Sequence, residues 1–421
     1  MNKFNKFAAA AAAFALAAAS TSCGAPEAIT IGKGTQTALT VDGYDVPAGV
    51  FIYNELYAYN QAAYELYGTL GKMPTVDEVK NHQFESLDAT DWIQDKATES
   101  CVDFVANERE FEKIGGALTK EELTEIKDFV SSNSAQAMFT ENGVGEDSLT
   151  KIMTNNYKRE AIFKHYYGLD SEKGCSEEEL KQYYQDKTTR VKYFSVSMVD
   201  DNGDAFGADE KRRLTNMIDD YVDEINAESS NSAKLKKIDE CEKEYSEYVE
   251  KRTAEAAAKA AQEAGETTTT TTTTTTAAGT TTTTTTDPYA NEVTVTKRTT
   301  TTVDPNAVSA VTTTTASAEA AASQKAYEDY NDYIFEKLGF YKAEKYQYDE
   351  NTVYVVIKAD IKDRMNSADL WTENTIQSLL SERYYEDFEN MMKGIAKSYT
   401  PEKNSSAYRK FTPFSLKLED K

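Results

Sequence analysis

The chain has 421 residues and a formal charge of −25, from 71 acidic and 46 basic side chains. Such an acidic chain repels the phosphates of DNA and RNA, which argues against a nucleic-acid partner. The length predicts two or three domains, and the two histidines, His82 and His165, leave little scope for imidazole chemistry.

The first residues have the pattern of a bacterial export signal. Lys3 and Lys6 precede an apolar run from Phe7 to Ala19, which is shorter than the roughly 20 residues of a membrane-spanning helix. The small residues before Cys23 resemble a lipobox. This pattern predicts a signal peptide over 1–22 and lipidation of Cys23, which would anchor the mature protein to the outer side of the bacterial cell membrane. Ordinary secretion with an unmodified Cys23 is the alternative.

After a linker over 23–37, residues 38–188 have the pattern of a helical domain. Asp42-Gly43 between apolar residues predicts a tight turn. Thr119 and Glu122 have the spacing of a capping box at a helix start. Apolar residues recurring at three- and four-residue steps predict helices, approximately at 48–67, 89–114, 120–130, 146–167 and 176–184.

A different pattern begins at 190–198, where β-branched and aromatic residues alternate with others and predict a strand. A second strand is predicted at Thr352–Lys358. These strands lie in the two parts of a predicted inserted domain, 189–265 and 324–362, and we expect a small sheet whose edges lie close to the entry and exit points. Between the two parts, threonine tracts predict a disordered segment over 266–323, because such repeats bury little apolar area.

The last part of the chain, 363–421, contains a long amphipathic helix predicted at 370–397. An isolated amphipathic helix needs a partner for its apolar face, and the earlier helices are the expected partners. The sequence therefore predicts an α+β protein in which a split, mainly helical domain is interrupted by a small inserted α/β domain.

This order of elements resembles the PrsA/SurA-type extracytoplasmic foldases. The resemblance implies a SurA-N-like helical chaperone domain with an inserted, parvulin-type prolyl isomerase domain. Short segments support it: the strand at 190–196 resembles the opening strand of parvulins, the segment 244–247 resembles their Lys-Tyr-Ser-Glu/Asp motif, and 354–358 resembles their closing Tyr-His-Ile-Ile-Lys.

The parvulin resemblance also implies a histidine in each of the two strands, below the proline pocket. The aligned positions here hold Tyr193 and Val355, and no histidine occurs between residues 190 and 361. The resemblance therefore implies weak or lost isomerase activity, and whether the protein is an enzyme stays open. An active parvulin-type isomerase, with Tyr193 and nearby hydroxyls replacing the histidines, is an alternative function. A cell-surface interaction module with a glycosylated threonine spacer is a further one.

The expected partners are unfolded or newly exported polypeptides, together with the membrane through the lipid anchor. Aromatic side chains are suited to such binding because they offer large amphipathic surfaces with little sequence demand. Neither a cofactor nor a metal site is predicted, and the spacing of Cys101, Cys175 and Cys241 indicates no disulfide framework. The predicted client-binding residues are Tyr166, Tyr167, Tyr184, Tyr384 and Phe388.

Overall fold

The computed structural model describes residues 29, 31–200, 202–263, 289, 291–298, 318–365, 367 and 370–418. These residues form two compact units. The first unit contains the described residues up to Lys181 and those from Thr372 onward, and the second contains the described residues between them. Helices and antiparallel sheets occur in both, so the predicted α+β class is confirmed. The predicted signal peptide and Cys23 lie outside the described residues.

The first unit is mainly helical, and its helix Ala89–Lys113 packs against three others, Ala48–Leu70, Glu146–Tyr167 and Glu373–Ala396. A helix α7, Glu177–Lys187, crosses the division between the units. The helices that belong to the first unit are α1 (Ala48–Leu70), α2 (Val76–Lys80), α3 (Ala89–Lys113), α4 (Lys120–Asn133), α5 (Ala137–Thr140), α6 (Glu146–Tyr167), α11 (Glu373–Ala396) and α12 (Ser405–Lys410).

Local signals set several of these boundaries as predicted. The Thr119 hydroxyl accepts a hydrogen bond of 3.1 Å from the backbone N–H of Glu122, whose carboxylate accepts one of 2.7 Å from the backbone N–H of Thr119. This is the predicted capping box. Helix α1 continues through Gly68 and ends before Gly71, which has a φ of 68°. Only the second of these two glycines therefore terminates the helix.

A small sheet joins the beginning of the first unit to its end. Strands β1, Thr37–Val41, and β2, Tyr44–Pro47, form a hairpin whose turn residues, Asp42 and Gly43, both have positive φ. Strand β9, Pro401–Lys403, pairs antiparallel with the other edge of β1. No sequence pattern predicts β9. A separate short hairpin is formed by β3 (Gln83–Phe84) and β4 (Leu87–Asp88).

The last long helix, α11, buries its apolar face against helices that lie early in the chain. Phe388 is fully buried, with its ring centroid 5.3 Å from that of Phe163. The guanidinium of Arg159 lies 4.9 Å from the Phe388 ring and forms an ion pair with Glu389. Residues that precede the second unit in the sequence thus share one core with residues that follow it.

A carboxylic acid is enclosed in this helical core. Glu55 on α1 is fully buried, and its Oε1 accepts a hydrogen bond of 3.2 Å from Gln94 on α3. Its Oε2 has no hydrogen-bond partner among the residues that the structure describes. Burial raises the pKa of this carboxyl well above its usual range, and the Gln94 hydrogen bond opposes that shift only in part.

The second unit contains one four-stranded antiparallel sheet with helices on both faces. The strand order is β6-β5-β8-β7. The elements of this unit are β5 (Thr188–Ser197), α8 (Ala208–Ala227), α9 (Asn231–Glu263), β6 (Val293–Thr296), α10 (Ala318–Glu336), β7 (Ala343–Gln347) and β8 (Thr352–Ala359).

The two strands predicted from the sequence are direct neighbours in the centre of this sheet. Their pairing runs from Arg190 opposite Ala359 to Ser197 opposite Thr352. The expectation of sheet edges near the entry and exit points is therefore corrected: the edges are β6 and β7. Alternation along the strands sends Phe194 and Val355 into a core with α8 and α9, whereas Val356 packs with α10.

The edge strand β6 and the start of α10 lie inside the segment predicted to be disordered. Disorder over 266–323 is therefore wrong for Val293–Thr296, which pair with Thr188–Val191, and for 318–323, which are helical. Next to this strand, the side chain of Glu292 is buried, and its carboxylate accepts a hydrogen bond of 2.8 Å from Arg190, which is 1% exposed. Long-range pairing and a buried ion pair stabilise this stretch despite its threonine-rich surroundings. The four threonine tracts of this segment lie outside the described residues.

Within the described ranges, the helices are too short or too polar to cross a membrane.

The buried Glu55 carboxyl predicts a specific pH dependence of stability. Its folded pKa is raised above the unfolded value of about 4.3. Between these two values the folded state holds a proton that the unfolded state has released, so Glu55 makes the free energy of unfolding fall as the pH rises. We expect Glu55→Gln to be more stable than the wild type at neutral pH, with the difference shrinking towards pH 4. Urea unfolding midpoints of both proteins from pH 4 to 7 measure this difference in stability. A difference that does not change with pH would contradict the raised pKa of Glu55.

Candidate functional site

Six tyrosines cover one face of the sheet in the second unit, and we call them the tyrosine patch. They come from β5, α10, the β7 region and β8, and their rings form a continuous set of contacts. The tyrosine patch consists of Tyr193, Tyr330, Tyr333, Tyr346, Tyr348 and Tyr354.

Sheet register places these rings side by side. Tyr346 on β7 lies directly opposite Tyr354 on β8, and the ring centroids of Tyr193 and Tyr354 are 4.9 Å apart. The Tyr348 ring stacks on Tyr354 at 4.6 Å. Because strand residues two apart point to the same face, the alternating tyrosines of neighbouring strands converge.

Tyr330 on α10 is the centre of the tyrosine patch. Its ring stands at 70° to that of Tyr193 and at 73° to that of Tyr354, with centroids 6.1 and 5.1 Å away. It also meets Tyr348 at 86° and 5.8 Å. Edge-to-face contacts of this kind each stabilise by about 0.5–1.5 kcal/mol beyond their buried area. They hold the rings in a defined arrangement.

The patch presents both an exposed surface and a buried polar atom. Tyr193 is 40% exposed, whereas Tyr330 is only 7% exposed. The Tyr330 hydroxyl is buried and has no hydrogen-bond partner among the described residues. Burial raises its pKa far above the usual range, and the neighbouring phenols of Tyr193 and Tyr354 add to the shift. The group is thus a neutral O–H donor at neutral pH, without an acceptor.

Two other members of the patch have identified polar surroundings. The Tyr333 hydroxyl donates a hydrogen bond of 2.7 Å to Glu344. Burial raises the pKa of Tyr354 to about 12, and the negative charge of Asp349 adds to that shift. The patch therefore combines aromatic ring faces, neutral hydroxyl groups and nearby carboxylates.

The two parvulin-equivalent positions are not brought together. Tyr193 belongs to the tyrosine patch, but Val355 is fully buried on the opposite face of the sheet, opposite Phe194 in register. The ring that contacts Tyr193 is that of Tyr354, the residue immediately before Val355 in the chain. The parvulin-equivalent position Val355 is therefore a core residue, because strand alternation assigns it and Tyr193 to different faces of the sheet.

Three of the predicted client-binding residues are core residues instead. Tyr167 is 5% exposed, Tyr184 is 7% exposed and Phe388 is fully buried. Tyr167 and Phe388 pack together with Phe163, and Tyr184 packs near Trp371. Their rings are used for packing, which leaves almost no surface for a client polypeptide.

The other two predicted client-binding residues are half-buried. The Tyr166 hydroxyl donates a hydrogen bond of 2.6 Å to Glu110, and the Tyr384 ring lies 5.6 Å from that of Tyr167. The three cysteines Cys101, Cys175 and Cys241 are buried free thiols.

Five of the six patch tyrosines were not singled out from the sequence, because adjacent tyrosine pairs on helices were taken as the candidates. An available signal was the alternation Tyr346-Gln347-Tyr348 shortly before Tyr354, which predicts tyrosines on one face of two adjacent strands. Recognising it required β7, which the sequence analysis did not predict.

Comparison with family models, with curated proteins and with solved structures finds no match to this chain.

The unpartnered hydroxyl of Tyr330 makes a prediction for stability. An unsatisfied buried hydroxyl costs roughly 1–3 kcal/mol, so we expect Tyr330→Phe to be as stable as the wild type or more stable by about 1 kcal/mol. The matched control is Tyr333→Phe, which removes the hydrogen bond to Glu344 and is expected to lower the free energy of unfolding by roughly 1 kcal/mol. Urea unfolding measures both, and a Tyr330→Phe variant less stable than Tyr333→Phe would contradict the prediction.

Proposed function

We propose that this protein is a lipid-anchored extracytoplasmic chaperone that binds unfolded exported polypeptides, with prolyl isomerase activity weak or lost. The observation that carries this proposal is the tyrosine patch, a partly exposed aromatic surface on an ordered sheet. The location rests on the leader pattern before Cys23, and the chaperone class rests on the resemblance to PrsA/SurA-type foldases.

The chemistry of the patch suits a ligand without a fixed sequence. Tyrosine rings bury large apolar areas at a low cost in conformational entropy, and their hydroxyls can bind backbone carbonyls of an extended chain. The Tyr330 hydroxyl is a donor with no acceptor among the described residues. A backbone carbonyl that approaches the patch could supply that acceptor, and every unfolded polypeptide offers many of them.

The proposal predicts that the patch is needed to suppress aggregation. We expect the double variant Tyr193→Ser/Tyr348→Ser to require about tenfold more protein than the wild type for the same protection of a chemically denatured client, since two ring contacts are lost. Light scattering during dilution of the client from denaturant measures this.

The matched control is Tyr64→Ser on helix α1 of the first unit, where the tyrosine is 55% exposed. It removes a tyrosine that is more exposed than Tyr193 and is not part of the patch, and it should protect the client as the wild type does. Unfolding midpoints of all variants confirm that folding is retained. Full protection by the double variant would rule out the patch as the client site.

An active prolyl isomerase is a second candidate, favoured by the Tyr193–Tyr354 pair at 4.9 Å and the buried Tyr330 hydroxyl. Isomerisation has a barrier of about 18–20 kcal/mol and requires no covalent nucleophile. It requires a pocket that stabilises the twisted amide more than either planar form. Apolar ring faces with a neutral hydroxyl donor are compatible with that requirement.

The two candidates respond differently to loss of hydroxyls alone. The variant Tyr193→Phe/Tyr354→Phe keeps both rings, so aggregation suppression should be retained within about twofold. If the protein is an isomerase, a protease-free assay on a proline-containing peptide should show strong acceleration by the wild type and its loss in this variant. We expect little acceleration by either protein, and a rate typical of working parvulins would overturn that expectation.

A further inference from the structure

The tyrosine patch has features of a site for a cation, in addition to an apolar chain. The faces of aromatic rings carry a partial negative charge and attract ammonium and guanidinium groups that lie within about 6 Å of a ring centroid. The centroids of Tyr193, Tyr354 and Tyr330 are only 4.9 to 6.1 Å from one another. A single cation at this position can therefore interact with more than one ring.

The ring orientations also fit a cation. Tyr330 stands steeply to both Tyr193 and Tyr354, so the rings form walls at an angle to each other rather than one flat stack. Tyr193 is 40% exposed, which leaves ring surface accessible from solvent. The partly enclosed geometry removes water from one side of a bound cation, which strengthens the attraction.

The charges around the patch are complementary to a cation. The carboxylate of Asp349, in the turn after β7, accepts a hydrogen bond of 2.8 Å from the backbone N–H of Asn351. Neither Asp349 nor the adjacent Glu350 forms an ion pair within the part of the chain that the structure describes. Asp349 nevertheless acts on the Tyr354 hydroxyl, whose pKa it raises. Negative charge thus borders the rings, and no ion pair among the described residues neutralises it.

Four basic residues on or next to these elements have partners among the described residues. Lys325 on α10 forms an ion pair of 2.7 Å with Asp329, and Lys342 forms one of 2.7 Å with Glu344. Arg298, which follows β6, binds Asp332 at 2.8 Å. The amino group of Lys358 is buried and donates to the carbonyl of Ile334 at 2.7 Å. Because these four cations already bind other groups, they do not cancel the negative charge next to the patch.

We propose that the tyrosine patch selects polypeptide segments in which lysine or arginine lies among apolar residues, with the cationic group held against Tyr193 and Tyr354 and the chain against the remaining rings. This selectivity rests on the proposed function and assigns the chemical class of its clients. Acidic segments are disfavoured by Asp349 and by the formal charge of −25 on the whole chain.

The test uses the full chain and three unstructured fluorescent peptides with identical apolar residues. The peptides differ only at the remaining positions, which are lysine, glutamine or glutamate. We expect fluorescence anisotropy to give dissociation constants in the order lysine, glutamine, glutamate, with the lysine peptide bound about threefold or more tighter than the glutamine peptide. Increasing salt should weaken this preference without removing it, because a partly enclosed cation is screened less than an exposed one.

Substitutions distinguish the contribution of the rings to the lysine preference from that of the general surface charge. Tyr193→Leu keeps the charge of the protein and an apolar side chain, and it should bring the lysine-to-glutamine ratio of affinities close to one. Tyr193→Phe should preserve the ratio, because the aromatic face is retained. The control Tyr327→Leu, on α10 but outside the patch and 51% exposed, should also preserve it.

The possible failures are distinguishable. Equal affinity for the lysine and glutamine peptides, or a lysine preference that survives Tyr193→Leu, would overturn the cation site while leaving chaperone binding intact. If none of the peptides binds and aggregation of a denatured client is not suppressed, the proposed function and this inference both fail.

Discussion

The arrangement of the second unit depends on the pairing of β5 with β8. In the observed register, Phe194 lies opposite Val355, and both side chains point into the core with α8 and α9. The alternate residues Tyr193 and Tyr354 then meet on the face that carries α10. A shift of one residue would exchange the two sets, burying phenols among α8 and α9 and exposing valines. The same register therefore secures both the apolar core and the candidate site.

Sequence signals predicted those features that depend on neighbouring residues. Asp42-Gly43 specified a hairpin turn, Thr119 and Glu122 specified a helix start, and apolar periodicity located the long helices. Features that depend on distant partners were missed or misassigned. Val293–Thr296 forms a strand because it pairs with β5. In the same way, β9 forms a strand because it pairs with β1. Alignment identified Val355 as a parvulin-equivalent position but not the face of the sheet on which it lies, because register decides that face and a single sequence does not specify register.

The residues of the candidate site also divide into those predictable from neighbouring residues and those that depend on distant partners. Tyr193 could be selected from the sequence because it lies in a strongly predicted strand. Tyr330 could not, because its role depends on α10 lying across that strand and on the absence of an acceptor for its hydroxyl among the described residues. Conversely, Phe388 and Tyr167 belong to a periodic apolar pattern that fits a core and a client surface equally well. Only packing distinguishes these possibilities, and it places both residues in the core.

The pairing of β1 with β9 has a consequence for how the protein is made. Leu39 and Lys403 are partners in this sheet, so the first unit contains contacts between residues at opposite ends of the chain. Contacts of such wide sequence separation close late, since the loop entropy must be overcome before they contribute. During synthesis, α3 therefore lacks its partner α11, and β1 lacks its partner β9, until residues 373–403 have been made. A protein proposed to shelter incomplete chains thus passes through a long incomplete stage of its own.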